Sequence, residues 1–266
     1  MINMAISKPE IRTVEVVRYI TPLREGGSLP AVTEADDGFM YVLKFRGAGQ
    51  GVKVLISELI GGELAKLMGL KVPEIVFAEL DEAFGRTEPD EEIQDLLKAS
   101  RGLNLGMHYL QGAFIFDPVV NKIDEELASK IVWLDCLITN VDRTARNTNM
   151  LVWHNEIWLI DHGASLYFQH ALTNAAEQAV RPFAPVKDHV LLPFAIKLDE
   201  VNKMYSKLIT KENIEAIVAL IPGVWLEEIF EGVKDKRKVY TDFLLTRLSH
   251  SDKFTKEVND TREALI

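Results

Sequence analysis

Residues 135–163, reading DCLITNVDRTARNTNMLVWHNEIWLIDHG, limit what this chain can fold into more than any other stretch. Asp142 is followed by Asn147 and then Asn149, in a segment crowded with residues that bond their own backbone and so favour turns over helix or strand. A run alternating apolar and polar residues comes next, through Met150, Val152, Ile157 and Leu159, and it ends at Asp161-His162-Gly163. Alternation of this kind predicts a short hairpin whose second strand covers 157–160. The fold must therefore present two polar loops at one end of a rigid β-ribbon, with a helix ending near Asn140 delivering the chain to the first loop.

Two carboxylates and two carboxamides in such loops suit phosphoryl transfer, which needs positioning and charge neutralisation more than covalent chemistry. Magnesium takes hard oxygen donors and accepts only one or two from protein, the rest coming from phosphates and water. Asp161, on the rigid stem of a strand with a glycine two residues on, and the amide oxygen of Asn147 are the candidate metal ligands. Asp142 is the candidate to accept or orient the acceptor's hydroxyl proton, and with Lys44 and Asn147 it makes up the candidate catalytic set. Any one of these residues alone is more often a turn former than a functional group. Arg143 either touches a phosphate or, as the stronger expectation, ties down the loop by pairing with Asp135 or Asp161, and Asn149 either caps a turn or contacts phosphate.

Upstream, residues 13–21 are rich in β-branched side chains and predict a strand. A glycine-containing loop follows at 22–30, then a short segment reaching Thr33, an Asp37-Gly38 hairpin signal and a strand over 39–45. Gly26, Gly27 and Ser28 stand where unobstructed backbone N–H groups can approach a phosphate, although such a triplet in isolation reads first as a flexible turn. Lys44 sits inside the apolar run Val42-Leu43-Phe45, where an unpaired ammonium is costly to bury. It either snorkels outward or meets phosphate. Residues 50–69 have helical spacing closed by Gly69, and Gly61-Gly62 in mid-helix costs about 1 kcal/mol per glycine, which predicts a kink or a close approach.

The run DRTARNTNMLV with the later LIDHG, together with Lys44, resembles the HipA-like kinases and, more distantly, the phosphatidylinositol 3- and 4-kinases. The likeness covers about residues 13–165 and is looser in the C-terminal helices. It departs from the common kinase pattern in having Val141 before Asp142 and His162 in place of the usual Phe. The resemblance implies an α+β, two-lobed protein-kinase-like fold, with a small antiparallel-sheet N-lobe over residues 1–110 and a mainly helical C-lobe over 111–266. It implies ATP and Mg²⁺ as cofactors, Lys44 on the nucleotide's phosphates, and Glu58 as its ion-pair partner with Glu63 second. It also implies an adenine-binding connector near 107–111, represented by Met107 and Tyr109. The acceptor it implies is a protein serine or threonine, a small-molecule hydroxyl being the alternative, and it allows a cognate regulatory protein as a partner. A nucleotide-binding pseudokinase and a lipid kinase are the competing readings.

The rest of the chain narrows the class. A net charge of −10 gives no electrostatic footprint for nucleic acid. Neither a secretory h-region nor a membrane-spanning apolar run is present, and the single cysteine, Cys136, rules out an internal disulfide, so a cytoplasmic location is expected. Residues 70–80 predict a further strand, 81–102 an exposed acidic insertion with a short helix after Pro89, and 104–116 one more strand. Asp124 is the expected N-cap of a helix burying Leu127, Ile131, Leu134 and Ile138. Beyond Gly163, the irregular segment containing Tyr167, Phe168, His170 and His189 is where an acceptor would meet the cleft. A last amphipathic helix is expected through Val239, Phe243, Leu244 and Leu248.

Overall fold

The computed structural model describes residues 9–23, 29–81, 84 and 90–265. The expected N-terminal strands form, as β1 (Thr13–Pro22), β2 (Ala31–Ala35) and β3 (Met40–Lys44), with the chain turning at residues 36–38 where Gly38 adopts φ +79°. The Asp37 carboxylate accepts the Phe39 N–H at 3.0 Å and fixes that turn. Next come helix α1 (Val52–Leu67), strand β4 (Ile75–Leu80), helix α2 (Glu91–Ala99) and strand β5 (Gly102–His108).

The strands of the small N-terminal sheet pair antiparallel, as expected, except at one place. They close into a barrel in the order β1-β2-β3-β5-β4, sealed by a parallel pairing of β1 with β4 in which Thr13, Val14 and Glu15 face Phe77, Ala78 and Glu79. Closure covers the edges of β1 and β4 where the two strands pair. The barrel interior collects Val14, Val16, Ala31, Leu43, Val76 and Ala78, every second residue of their strands. Helix α2 joins that core through Ile93 and Leu97, so the stretch after Pro89 is a packed lid rather than a solvated insertion. The charges of α2 conceal an amphipathic face, and Asp90 caps it by accepting the Glu92 and Ile93 N–H groups.

Helix α1 is apolar almost all round because it is sandwiched between the barrel and the helical half. Its paired glycines are contact points: a Cβ on Gly61 would lie 2.6 Å from that of His162, and one on Gly62 would lie 2.4 Å from Ile75 Cδ1. The run 104–116 is not one strand. Strand β5 stops at His108, where its pairing with β3 and β4 ends, and the chain turns through Gly112 before β6 (Phe114–Ile115). Strand β6 pairs with β7 (Met150–Trp153), which forms the anticipated hairpin with β8 (Glu156–Leu159). His154 and Asn155 both adopt positive φ in that two-residue turn.

The helical half is organised on α3 (Glu125–Ile138), capped by Asp124 as expected and buried from Ile131 to its end. Helices α5 (Leu198–Leu208), α8 (Lys236–Ser249) and α9 (Ser251–Glu263) pack on it, while α4 (Ala175–Val180) and α6 (Lys211–Ala219) pack on α8 and α7 (Gly223–Glu227) lies against α1. The amphipathic helix through Leu248 is α8, and it is not the last. Helix α9 follows it, strongly charged yet burying Phe254 and Val258, with the Phe254 ring 5.7 Å from that of Trp133. Among the described residues no helix is long and apolar enough to cross a membrane.

Candidate active site

Lys44 ends β3 pointing away from the barrel core, and it is buried rather than snorkelling. Its ammonium donates to Glu58 Oε2 and to Asp161 Oδ1, each at 2.6 Å. Glu58, wholly buried on α1, is thus the partner, while Glu63 pairs with Lys66 on the same helix. Burial alone would push the Lys44 ammonium down, but the carboxylates of Glu58 and Asp161 outweigh it and hold it well above its ordinary value. Burial likewise pushes the Glu58 carboxyl up, and Lys44 and His162 outweigh that, leaving it well below the usual carboxylate range.

Asp161 leaves β8 in a left-handed conformation, φ +55°, with its side chain 45% exposed, so one face of the carboxylate is open. His162 turns inward, fully buried, with Nδ1 3.4 Å from Glu58 Oε1. Gly163 then passes so close to α1 that a Cβ would sit 2.7 Å from Val54 Cγ1 and 3.3 Å from Asp161 Oδ1. The glycine of the Asp-x-Gly run is therefore a matter of space.

In the first loop, Asp142 is held on several sides. Its Oδ2 accepts the Nδ2 groups of Asn147 at 2.8 Å and Asn149 at 3.2 Å, and its N–H donates to Asn140 Oδ1 at 3.1 Å. Asn149 also donates to the Asp142 carbonyl, from a backbone with φ +49°. Asn147 is exposed, and its Oδ1 atom has no partner among the described residues.

Beneath the loop lies a wholly buried cluster. Arg143 Nε donates to Asp135 Oδ2 at 2.6 Å and its Nη1 to the Asn149 carbonyl, which makes Asp135 the anchor and leaves Asp161 out of this pair. Asn140 Nδ2 donates to Asp135 Oδ1 at 2.9 Å, and His189 Nε2 lies 3.0 Å from Asp135 Oδ2. The Leu191 N–H donates to His189 Nδ1, so the Nε2 atom carries the proton and donates it to Asp135. Burial raises the Asp135 carboxyl, and Arg143 with His189 more than reverses this, holding it well below the usual range.

Three main-chain bonds stitch the two loops together: Leu166 N–H to Ile138 O at 2.7 Å, Val141 N–H to Ala164 O at 3.4 Å and Ile160 N–H to Asn149 O at 3.0 Å. Lys44 and Asp161 thus share one side of a seam whose other side carries Asp142, Asn147 and Asn149. Side-chain bonds extend it: Ser57 on α1 donates to the Ser165 carbonyl, and Gln169 bridges Ser57 to the Tyr240 hydroxyl on α8.

Gly26, Gly27 and Ser28 lie outside the described residues. Met107 is buried within β5 between β3 and β4, and the connector itself begins at Tyr109, whose N–H donates to the Met40 carbonyl. Of the residues expected to line an acceptor cleft, Tyr167 and His170 are exposed, Phe168 stacks on Phe243 at 4.0 Å, and His189 belongs to the Asp135 cluster. Cys136 is buried, and burial pushes its thiol well up, away from reactivity. The pairing of Arg143 with Asp135 was one of the two expected from the sequence, whereas the contact of His189 with Asp135 was not readable from spacing, since they lie 54 positions apart.

Among the described residues no cluster of three or more His, Cys, Asp or Glu forms a metal cage. The open face of Asp161 and the free Asn147 amide oxygen are hard donors, and two such donors fit what magnesium takes from protein.

The family model described as HipA-like kinase matches residues 15–258. Among solved structures, the Helicobacter pylori proinflammatory kinase CtkA superposes with a TM-score of 0.56 at 13% identity, covering 96% of this chain and 99% of that one. A Golgi casein kinase aligns with a TM-score of 0.45 at 10% identity, covering 95% of this chain and 72% of its own. No curated protein matches the sequence.

Proposed function

This chain belongs to the HipA-like kinase family, and from that premise we propose that it transfers the γ-phosphoryl group of ATP to a hydroxyl, with a protein serine or threonine as the acceptor class. The observation that carries this reading is the Lys44 ammonium bonded at once to Glu58 and Asp161, across the seam from Asp142. ATP lies between an N-lobe of residues 1–110 and a C-lobe of 111–266. The Tyr109 carbonyl and the Leu110 N–H, which have no main-chain partner among the described residues, receive the adenine edge. Lys44 holds the phosphates, and Glu58 keeps its ammonium charged and aimed. Gly26, Gly27 and Ser28, which lie outside the described residues, are the candidates to meet the phosphates with backbone N–H groups.

Asp161 and Asn147 would hold Mg²⁺, which when bound would supply neutralisation of the charge on the transferring group. Asp142 takes the hydrogen bond of the acceptor hydroxyl and receives its proton as the oxygen attacks phosphorus. Asn149 fixes the Asp142 carboxylate, and Arg143 with Asp135 fixes the loop beneath it. Water is kept from the inner face by His162 and α1.

Thermal melting with ATP and Mg²⁺ tests the reading. Wild-type protein is expected to gain several degrees, and Asp161→Ala to lose that gain. Labelled nucleotide should leave γ-phosphate and no α-phosphate on the acceptor. A melting curve indifferent to Mg-ATP, or transfer of the α-label, overturns it.

A further inference from the structure

A pocket of about 300 Å³ is lined by Phe39, Glu74, His108, Leu110, Trp153 and Trp158. Phe39, Glu74 and His108 come from the barrel side, Leu110 from the connector, and the tryptophans from the β7–β8 hairpin. Apart from the Leu110 N–H, assigned above to the adenine edge, the phosphoryl-transfer reading uses none of these groups.

We propose that this pocket is an aromatic cage that receives a lysine or arginine side chain from a basic segment of a partner protein. Its walls have the form such a guest needs. The Trp153 and Trp158 rings stand at 77° with centroids 5.2 Å apart, and Phe39 and His108 meet edge to face at 5.6 Å. A cation over an aromatic face is attracted by the ring quadrupole. Trp158 already shows this, with the Lys71 ammonium 5.7 Å from its ring centroid on one side.

The rim supplies the charge. Glu74 is exposed, and the Arg12 guanidinium, donating to it at 2.8 Å, orients its carboxylate and holds it below its ordinary value, so it is ionised at neutral pH. Around the cage, Glu74, Asp37 and Glu156 are paired with Arg12 and Lys71, and Lys66, which also acts on Glu74, is itself paired with Glu63, so the rim keeps an acidic excess on a chain of net charge −10. A basic partner is therefore the complementary one. Trp153 Nε1 also donates to the Gln111 carbonyl at 3.0 Å, so a side chain seated here bridges barrel, connector and hairpin.

Tryptophan emission reads the site directly, because Trp133 and Trp225 are both fully buried. The probes are a short lysine-containing peptide and the same peptide with norleucine in place of lysine, titrated into the full chain without nucleotide. The lysine peptide is expected to shift the emission saturably and to be displaced by tetramethylammonium, while the norleucine peptide has no effect. Glu74→Gln and Trp153→Leu are each expected to weaken binding about tenfold, as loss of the charge or of one cage wall implies, with melting temperatures measured alongside to show that both variants are folded. Equal response to the norleucine peptide, no response to lysine, or unchanged affinity in a folded Trp153→Leu protein overturns the proposal.

Discussion

Gly61 and His162 are pressed together: a Cβ placed on the helix glycine would fall 2.6 Å from the Cβ of the histidine and 2.9 Å from its ring. The contact joins the middle of α1, three residues beyond Glu58, to the residue after Asp161. A mid-helix glycine that costs about 1 kcal/mol in propensity is thus what lets the Asp161 loop lie against the helix carrying the lysine's partner. Gly61→Ala gains that propensity and loses more to overpacking, about 1–3 kcal/mol. The expected result is a melting temperature lower by several degrees and reduced phosphotransfer, read by calorimetry and a transfer assay. An unaltered melting curve with full activity contradicts the contact.

The buried Asp135–Arg143 pair has no solvent to replace a lost partner. Arg143→Met is expected to destabilise the protein by about 3–5 kcal/mol, since it strands the carboxylate beside His189. Urea unfolding measures this. A loss below about 1 kcal/mol would mean that the cluster is solvated and does not anchor the loop.

Stability should fall on both sides of neutrality, for different groups. Glu58 and Asp135 have carboxyls depressed below their unfolded values of 4.5 and 3.8, so their contribution is complete above those values and is lost as pH falls below about 4.5. Lys44 is raised above its unfolded value of 10.5, so its contribution is complete below that pH and is lost as pH rises beyond it. Unfolding free energies between pH 3 and 7 should decline less steeply toward acid in Asp135→Asn than in wild type. Parallel curves would exclude Asp135 as a contributor.

Asn149 separates positioning from binding. Asn149→Gly keeps the left-handed backbone and removes only the amide that holds Asp142. The expected outcome is a kcat lower by about ten- to a hundredfold, with the KM for ATP little changed. A raised KM at constant kcat would place Asn149 at the nucleotide instead.

Much of this was legible in the sequence because the signals were local. A lysine in an apolar strand, an Asp-to-Asn step in a polar loop and an Asp-x-Gly after an alternating run each show in a short window. The link from Lys44 to Glu58 spans 14 positions and came from family likeness, since burial of Glu58 cannot be seen in an apolar helix. What stayed hidden was non-local. Barrel closure depends on a parallel register between β1 and β4, about sixty residues apart, and neither strand marks it. Helix α9 was missed because its charges outnumber the few apolar residues, Phe254 and Val258 among them, that dock it. His189 was expected among the residues near the acceptor's cleft, and only the fold brings it to Asp135.

Single-turnover transfer from γ-labelled ATP by Asp142→Asn, beside nucleotide affinity of the same protein, probes the reading most directly. The account predicts wild-type affinity for Mg-ATP and label transfer reduced by at least about a hundredfold, as loss of the residue that accepts the proton requires. Transfer at the wild-type rate in a protein that still binds nucleotide would contradict it.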